Sequence, residues 1–476
     1  METLDTMYID GRFETVRGRE ILTLVDPVTE QDAAQVVLAD EEDARRAIAV
    51  AARAYRRLAG STRAERMDWL ERLHRVVAEA EPELTDCMIE EYGGPWRFSN
   101  PTARRAAASF ASARRLVADY PFEREVGGAR VRMEALGVVG IITPWNASYG
   151  FVCGKLAMAI AAGSTAVIKP SELSARQSAL LTRVLDRAGL PPGLFNIVTG
   201  RGETVGAELV RHPDIAKISF TGSTAVGKAI ARGAADTMKR VTLELGGKSP
   251  TLLLDDADFI RAMPFAAAAA VMNSGQACVA GTRLLVPRRR LEEARALIVA
   301  QFDSLAVGDP RDRATQVGPM VTRKQYERVQ GYIRAGIEDG AQLWCGGPGR
   351  PDGLARGWFV RPTVFGEVDN RMRIAREEIF GPVLSVIAYD DEEHAVALAN
   401  DTDYGLQAYV FGADLERANR VAARIVAGRV HINGLHDAPE APFGGFRQSG
   451  MGREFGVFGL EQYVEPKAVL GHDTRL

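Results

Sequence analysis

Two rhythms of apolar and polar positions run along the chain. From Asp40 to about Arg115 apolar residues recur every three or four positions, with Ile48, Ala51, Ala52, Tyr55 and Leu58 on one stripe and charges between them. That period predicts helices. Beyond it, short β-rich runs alternate with longer segments: Gly137–Ile142, Ala166–Lys169, Phe195–Val198 and Lys217–Phe220 are separated by enough chain for a helical crossover. The βαβ rhythm predicts a parallel sheet. A second rhythm of this kind opens at Thr251–Leu254 and runs to about Asn433, so two α/β domains are expected. Val126–Met133, which alternates around Gly127-Gly128, and Glu465–Leu470 near the C-terminus fit neither rhythm.

Length and charge narrow the partners. A chain of 476 residues holds two or three domains that each bury a core. Its 59 basic and 62 acidic residues are interspersed and leave a net charge of −3, so no basic stripe points to nucleic acid or an anionic membrane. Arg288–Arg290 reads as a solvated turn. The longest apolar run, Met263–Met272, is far short of the roughly 20 residues that span a bilayer. Met1–Met7 is acidic and lacks the basic and apolar regions of a secretory signal. The expectation is a cytoplasmic protein whose partners are small molecules, with no membrane and no nucleic acid.

Four cysteines lie tens of residues apart with no Cys-x-x-Cys and no Cys/His cluster, so neither a disulfide framework nor a metal site is predicted. Cys87, Cys153 and Cys345 read as structural thiols. Cys278 differs: it sits among small residues in Asn273–Gly281, after an alanine-rich helical stretch and before the strand-like Arg283–Val286. Little bulk surrounds its sulfur, as a nucleophile requires. Glu244, in Leu243–Pro250, precedes it by 34 positions.

Two further features point to an anionic cofactor. Lys169-Pro-Ser-Glu172 puts an ammonium and a carboxylate at the C-terminal end of a strand, where open parallel sheets bind ligands. Gly222–Gly227 follows another strand and opens a helix, which aims free N–H groups at an anion. As a bare Gly-x-x-x-x-Gly it equally suits an ordinary helix start.

Seven segments occur in one order: Thr143–Asn146, Lys169–Glu172, Phe220–Gly227, Leu243–Pro250, Asn273–Gly281, Glu377–Val383 and Pro442–Gly445. In that order the chain resembles the aldehyde dehydrogenase superfamily of the non-acylating type, from about Asp10 to about Lys467. The resemblance implies two Rossmann-like domains and a small β oligomerisation domain. The NAD-binding domain would take residues 1–117 and 136–246, the catalytic domain 247–448, and the oligomerisation segments 118–135 and 449–476. It implies a homodimer or homotetramer, and an aldehyde oxidised to the acid through a thiohemiacetal and a thioester. Cys278 would be the nucleophile, Glu244 the base that activates water, and Asn146 a donor to the oxyanion. Lys155 and Glu454 would pass protons to and from the base. Lys169, Ser171 and Glu172 would meet the adenosine ribose, and the carboxylate favours NAD over NADP. Trp145, Thr221, Gly222, Ser223, Gly227 and Leu245 would surround the diphosphate, with Glu378 and Phe380 at the nicotinamide end.

The chain departs from the family pattern beside these motifs. Many members carry an aromatic residue and a proline after Pro-Trp-Asn, and a tryptophan before the lysine matched by Lys155. Here the residues are Ala147, Ser148 and Gly154. A wider channel for a bulky or ring-bearing aldehyde is expected, lined by Ala147, Tyr149, Phe151, Gly154, Ala277, Val279, Leu435, His436 and Phe443. A semialdehyde with a second functional group is the alternative, with Arg97 and Arg283 as the available cations. A coenzyme A-dependent acylating enzyme and a non-catalytic NAD-binding member are the remaining readings. Glu244 argues against the first, since a thiol needs no hydrolytic base.

Overall fold

The computed structural model describes residues 1–472. Four helices, Glu41–Leu58, Arg63–Glu79, Glu81–Tyr92 and Trp96–Asp119, fill the stretch with helical period. Asp40 caps the first: its carboxylate accepts from the N–H groups of Glu42 and Asp43, and the Asp43 carboxylate reaches back.

The first parallel rhythm builds an eight-stranded sheet. Its order is Gly450–Met451, Arg240–Glu244, Ile215–Thr221, Val138–Ile142, Thr165–Lys169, Phe195–Ile197, Thr6–Ile9 and Arg12–Thr15. The five strands from Arg240–Glu244 to Phe195–Ile197 are mutually parallel. Their C-terminal ends therefore share one edge, which carries Glu244, Thr221 and Lys169 together with the turns that follow each strand. The second rhythm builds a seven-stranded sheet in which Thr363–Gly366, Val383–Tyr389, Arg283–Pro287, Pro250–Leu253, Gln407–Phe411 and Arg429–Ile432 are parallel. Gln342–Cys345 closes it antiparallel.

The two segments outside both rhythms meet. Glu123–Val126 and Ala129–Ala135 form a hairpin whose turn, Gly127-Gly128, has φ of 57° and 78°, the conformation glycine adopts without strain. Val464–Val469 pairs antiparallel with Ala129–Ala135. Residues 473–476, the end of the expected oligomerisation segment, lie outside the described residues.

The N-terminal strands escape the periodicity analysis. Glu2–Leu4, Asp32–Leu38 and Glu20–Val25 form a separate three-stranded sheet, and Thr6–Ile9 with Arg12–Thr15 makes a hairpin on the edge of the large one. Asp10-Gly11, at φ 54° and 76°, turns that hairpin. An Asp-Gly pair between β-rich runs is the signal that reveals it. Among the described residues no helix is long and apolar enough to cross a membrane.

Candidate active site

The loop before Cys278 is held from several sides. After helix Phe259–Ala270 the chain enters a left-handed run, Asn273 at φ 51°, Ser274 at 60° and Gly275 at 77°, which non-glycine residues adopt only when surroundings compel it. The Tyr92 hydroxyl donates to Asn273 Oδ1 at 2.5 Å, and Asn273 Nδ2 donates to the carbonyls of Asn146 at 3.2 Å and Gln276 at 3.1 Å. Gln276 donates from Nε2 to the Pro319 carbonyl and accepts at Oε1 from Val321 N–H, at 3.2 and 3.0 Å. Ser274 Oγ accepts from Gly318 N–H at 2.8 Å. Gly275 is required, because a Cβ there would lie 2.1 Å from the Gly381 carbonyl carbon. The nucleophile loop thus rests backbone to backbone on the loop that carries Glu378 and Phe380.

Asn146 joins the same brace. One Nδ2 hydrogen is donated to the Gln276 carbonyl at 2.9 Å, which leaves the other N–H of the amide for a second acceptor.

Cys278 keeps partial accessibility, but its thiol is enclosed. Burial, and then the Glu378 and Glu244 carboxylates, push its pKa up to about 12, against the opposing N–H groups of Cys278 and Val279. Glu244 is buried with both carboxylate oxygens free of hydrogen bonds. Burial first, and Glu454 second, hold its pKa well above the usual carboxylate range, while Lys155, Arg453 and Arg429 act in the opposite sense. Burial thus opposes ionisation of both the thiol and the carboxyl group. A Cβ on Gly444 would come within 2.7 Å of Glu244 Oε1, so the Pro442–Gly445 segment makes room for this carboxylate.

Lys155 and Glu454 join this pocket. The buried Lys155 ammonium forms an ion pair with Glu454 and donates to Ser219 Oγ at 3.2 Å. Glu454 takes Lys155 as its partner rather than the adjacent Arg453.

At the sheet edge, Lys169 Nζ lies 3.1 Å from Glu172 Oε2, and Arg201 Nη1 lies 3.5 Å from Glu172 Oε1. Burial works to raise the Glu172 pKa, but Lys169, the local backbone and Arg201 together hold it below the usual range, so it stands ionised. Ser171 Oγ accepts from Leu173 N–H at 3.3 Å. Ser223 caps helix Thr224–Ala235, accepting from Val226 N–H at 3.4 Å. Gly227 packs tightly on Leu245, where a Cβ would meet Leu245 Cδ2 at 2.4 Å. Thr221 Oγ1 is buried without a partner. An orphaned hydroxyl, a helix start with free N–H groups and an ionised carboxylate beside a lysine along one edge fit a dinucleotide. Trp145 packs edge-on between Tyr92 and Phe380, with ring centroids 5.6 and 5.8 Å apart. Glu378 Oε1 accepts from Gly247 N–H at 3.0 Å, and burial pushes its pKa up to about 7.

Residues 14–469 match the aldehyde dehydrogenase family. The chain belongs to that family. It is 42% identical to a putative aldehyde dehydrogenase of Staphylococcus saprophyticus, over 99% of this chain and 100% of the relative. It is 43% identical to 3-succinoylsemialdehyde-pyridine dehydrogenase of a Pseudomonas species, over 98% of both chains. Aldehyde dehydrogenase C of Pseudomonas syringae, solved as a cysteine-to-alanine variant with NAD+ and octanal, superposes with a TM-score of 0.97 at 46% identity, covering 99% of this chain and 98% of that one. An aldehyde dehydrogenase of Mycobacterium tuberculosis in complex with NAD+ gives 0.95 at 37% identity, over 98% of both.

Within this aldehyde dehydrogenase the expected channel residues separate. Gly154 is buried, and a Cβ there would make ordinary contacts with Phe455 Cε1 and Ser109 Oγ, both at 3.8 Å. Phe455 in turn meets Phe443, with centroids 5.9 Å apart. Ala147, Phe151 and Val279 are partly accessible, and Ala277 is buried beside Cys278. Leu435 and His436 stand on the exposed loop after Arg429–Ile432. His436 Nε2 lies 2.7 Å from the Ile432 carbonyl.

Two expectations are corrected. Tyr149 is fully buried and faces the core, its hydroxyl toward Cys87, because helix Ser148–Ala162 turns that position away from the channel. Arg283 is fully buried and donates to the carbonyls of Lys248, Leu398 and Ala399 and to Asn370 Oδ1; it braces backbone and is no substrate cation. Sequence reasoning missed Tyr92, Asn273 and Gln276, which brace the nucleophile loop. Asn273-Ser-Gly, a run rich in left-handed formers, carried the signal. It also missed Arg429 and Arg453 near Glu244, which nothing local in the sequence announces.

Proposed function

We propose that this enzyme oxidises a bulky aldehyde to its carboxylic acid with NAD, using Cys278 as nucleophile and Glu244 as the base of hydrolysis. The observation that carries this reading is the enclosure of Cys278 and Glu244 in one pocket, where the Glu244 carboxylate adds to the burial that opposes ionisation of the thiol. Burial disfavours a resting thiolate, so the thiol proton passes to solvent water as sulfur attacks the carbonyl carbon. The free Asn146 N–H and the Cys278 backbone N–H would hold the oxyanion; losing one such donor typically costs about 3 kcal/mol of transition-state stabilisation. NAD, when bound, accepts the hydride. Glu244 then removes a proton from water as its oxygen adds to the thioester carbon, the C–S bond breaks, and sulfur leaves as thiolate. Lys155, paired with Glu454, and the nearby Arg453 and Arg429 supply the positive field that lets Glu244 work as a carboxylate.

Lys169, Ser171 and Glu172 would hold the adenosine ribose. Thr221, Gly222, Ser223, Gly227, Leu245 and Trp145 would enclose the diphosphate, and Glu378 with Phe380 the nicotinamide end. The ionised Glu172 supports NAD over NADP. The small residues Ala147 and Gly154 support a bulky substrate, in keeping with the relatives named for a pyridine semialdehyde and crystallised with octanal. A semialdehyde with a second functional group is the second reading, favoured by the first of those relatives.

The domain division at residues 117, 135, 246 and 448 belongs to the same reading, as does a cytoplasmic homodimer or homotetramer. The outer strands of the small sheet, Glu123–Val126 and Val464–Val469, are exposed along most of their length, and such open edges invite pairing.

The test is NADH formation by wild type and Cys278→Ala across aldehydes from acetaldehyde to aromatic and semialdehyde compounds. Turnover that is lost in the variant and highest with bulky substrates is expected. Higher kcat/KM for acetaldehyde and propanal would sink the wide channel, and an acyl-coenzyme A product on adding coenzyme A would sink hydrolysis.

A further inference from the structure

The paired strands Ile215–Thr221 and Arg240–Glu244 have two faces of opposite character. Ile218, Phe220, Val241 and Leu243 join an apolar cluster with Leu209 and Ile230. The other face carries Lys217, Ser219 and Thr221, in register with Arg240, Thr242 and Glu244. All but Arg240 are buried. Interior strands of parallel sheets are ordinarily apolar on both faces, so a polar row that ends at the catalytic base calls for a cause.

Among the described residues, Lys217 is the cation of the row that has no carboxylate partner, whereas Arg240 pairs with Glu465. Its Nζ donates to Thr242 Oγ1 at 2.5 Å and lies 4.7 Å from the centre of the Tyr463 ring. The Tyr463 hydroxyl lies against that of Ser219, and Ser219 accepts from Lys155. We propose that Lys217 is a positioning residue for the hydrolytic half-reaction: through Tyr463 and Thr242 it sets Ser219, and Ser219 sets the Lys155 ammonium between Glu454 and Glu244. The proposal rests on the reading of Glu244 as the base that hydrolyses a Cys278 thioester. Acylation and hydride loss occur at Cys278 and do not draw on Lys217, Thr242 or Tyr463.

The charge of the row changes near neutrality. Burial, then Lys155 and also Arg240, push the Lys217 pKa down to about 7, and Glu454 acts against them. Tyr463 stays neutral, since burial and Glu454 raise its pKa. Lys217 is therefore charged below about pH 7 and neutral above it.

The experiment follows single-turnover NADH formation and acid-quenched acyl-enzyme in wild type, Lys217→Met and Tyr463→Phe across pH, with thermal melting as a check on folding. Expected for Lys217→Met are NADH formation at the wild-type rate, hydrolysis slower by about tenfold, and loss of the inflection near pH 7 from the hydrolysis profile. Tyr463→Phe, which removes one oxygen, slows hydrolysis alone by a smaller factor and keeps the test open if Lys217→Met does not fold. A folded variant with unchanged hydrolysis, or one in which both half-reactions fall together, would overturn the proposal. Wild type that forms NADH without ever accumulating or hydrolysing an acyl-enzyme would overturn the underlying reading instead.

Discussion

The loop that carries Cys278 and the loop at Asn433–Pro442, which our proposal gives to chemistry and to substrate selection, are built by opposite means. The first holds three consecutive left-handed residues in place with buried bonds from Tyr92, Asn146, Pro319, Val321 and Gly318. The second is exposed at Leu435 and from His436 to Glu440. Arg429 anchors it, donating to the carbonyls of Pro442 at 2.9 Å and Ala441 at 2.5 Å. Over-determined bonding fixes the loop of the proposed nucleophile, as catalysis demands. The loop proposed to select the substrate is exposed and has fewer such braces.

The sharpest way to break this contrast is through the thiol. With its pKa pushed up to about 12, the thiolate fraction of Cys278 rises with pH throughout the accessible range. Alkylation by iodoacetamide, followed on the Cys278 peptide, should accelerate about tenfold per pH unit from 7 to 10. A plateau by pH 8 would mean that the pocket activates the thiol at rest. Asn273→Ala comes next. It removes two buried donors and places alanine at positive φ, so kcat/KM should fall about a hundredfold for every aldehyde alike, and unfolding free energy by about 2 kcal/mol. A loss confined to some aldehydes would contradict the separation of chemistry from selection.

Gly154→Trp should act the other way. An indole set against Phe455 and Ser109 is expected to lower kcat/KM for bulky aldehydes by about tenfold to a hundredfold and to leave acetaldehyde within about threefold. Equal loss for both would deny that Gly154 faces the channel. His436→Ala should change kinetics by less than about twofold, because one ring nitrogen already faces the Ile432 carbonyl and the loop is exposed. A large, substrate-specific loss would give His436 the selecting role that its hydrogen bond argues against.

Much of this was legible in the sequence. Helical period from Asp40 and the βαβ rhythm from Gly137 translate directly into elements, because burial of one helix face or of interior strands dictates the pattern. Glycines at 227, 275 and 444 are informative only with neighbours in view: they permit close contacts with Leu245, Gly381 and Glu244. The N-terminal strands stayed hidden because they are short and lie outside the βαβ rhythm. Tyr149 was misplaced since a helix turns about 100° per residue, so nearness in sequence to Asn146 says little about which way a side chain points. Lys217 was passed over inside a β-rich run, where only the register with Thr242 and Glu244 gives it a place.

The most direct test of the account is intact-protein mass spectrometry of Glu244→Gln after mixing with NAD and a good aldehyde substrate. The account predicts stoichiometric NADH and a persistent adduct on Cys278 weighing the aldehyde less two hydrogens. Steady turnover at the wild-type rate with no adduct would contradict Glu244 as the base that releases the acid.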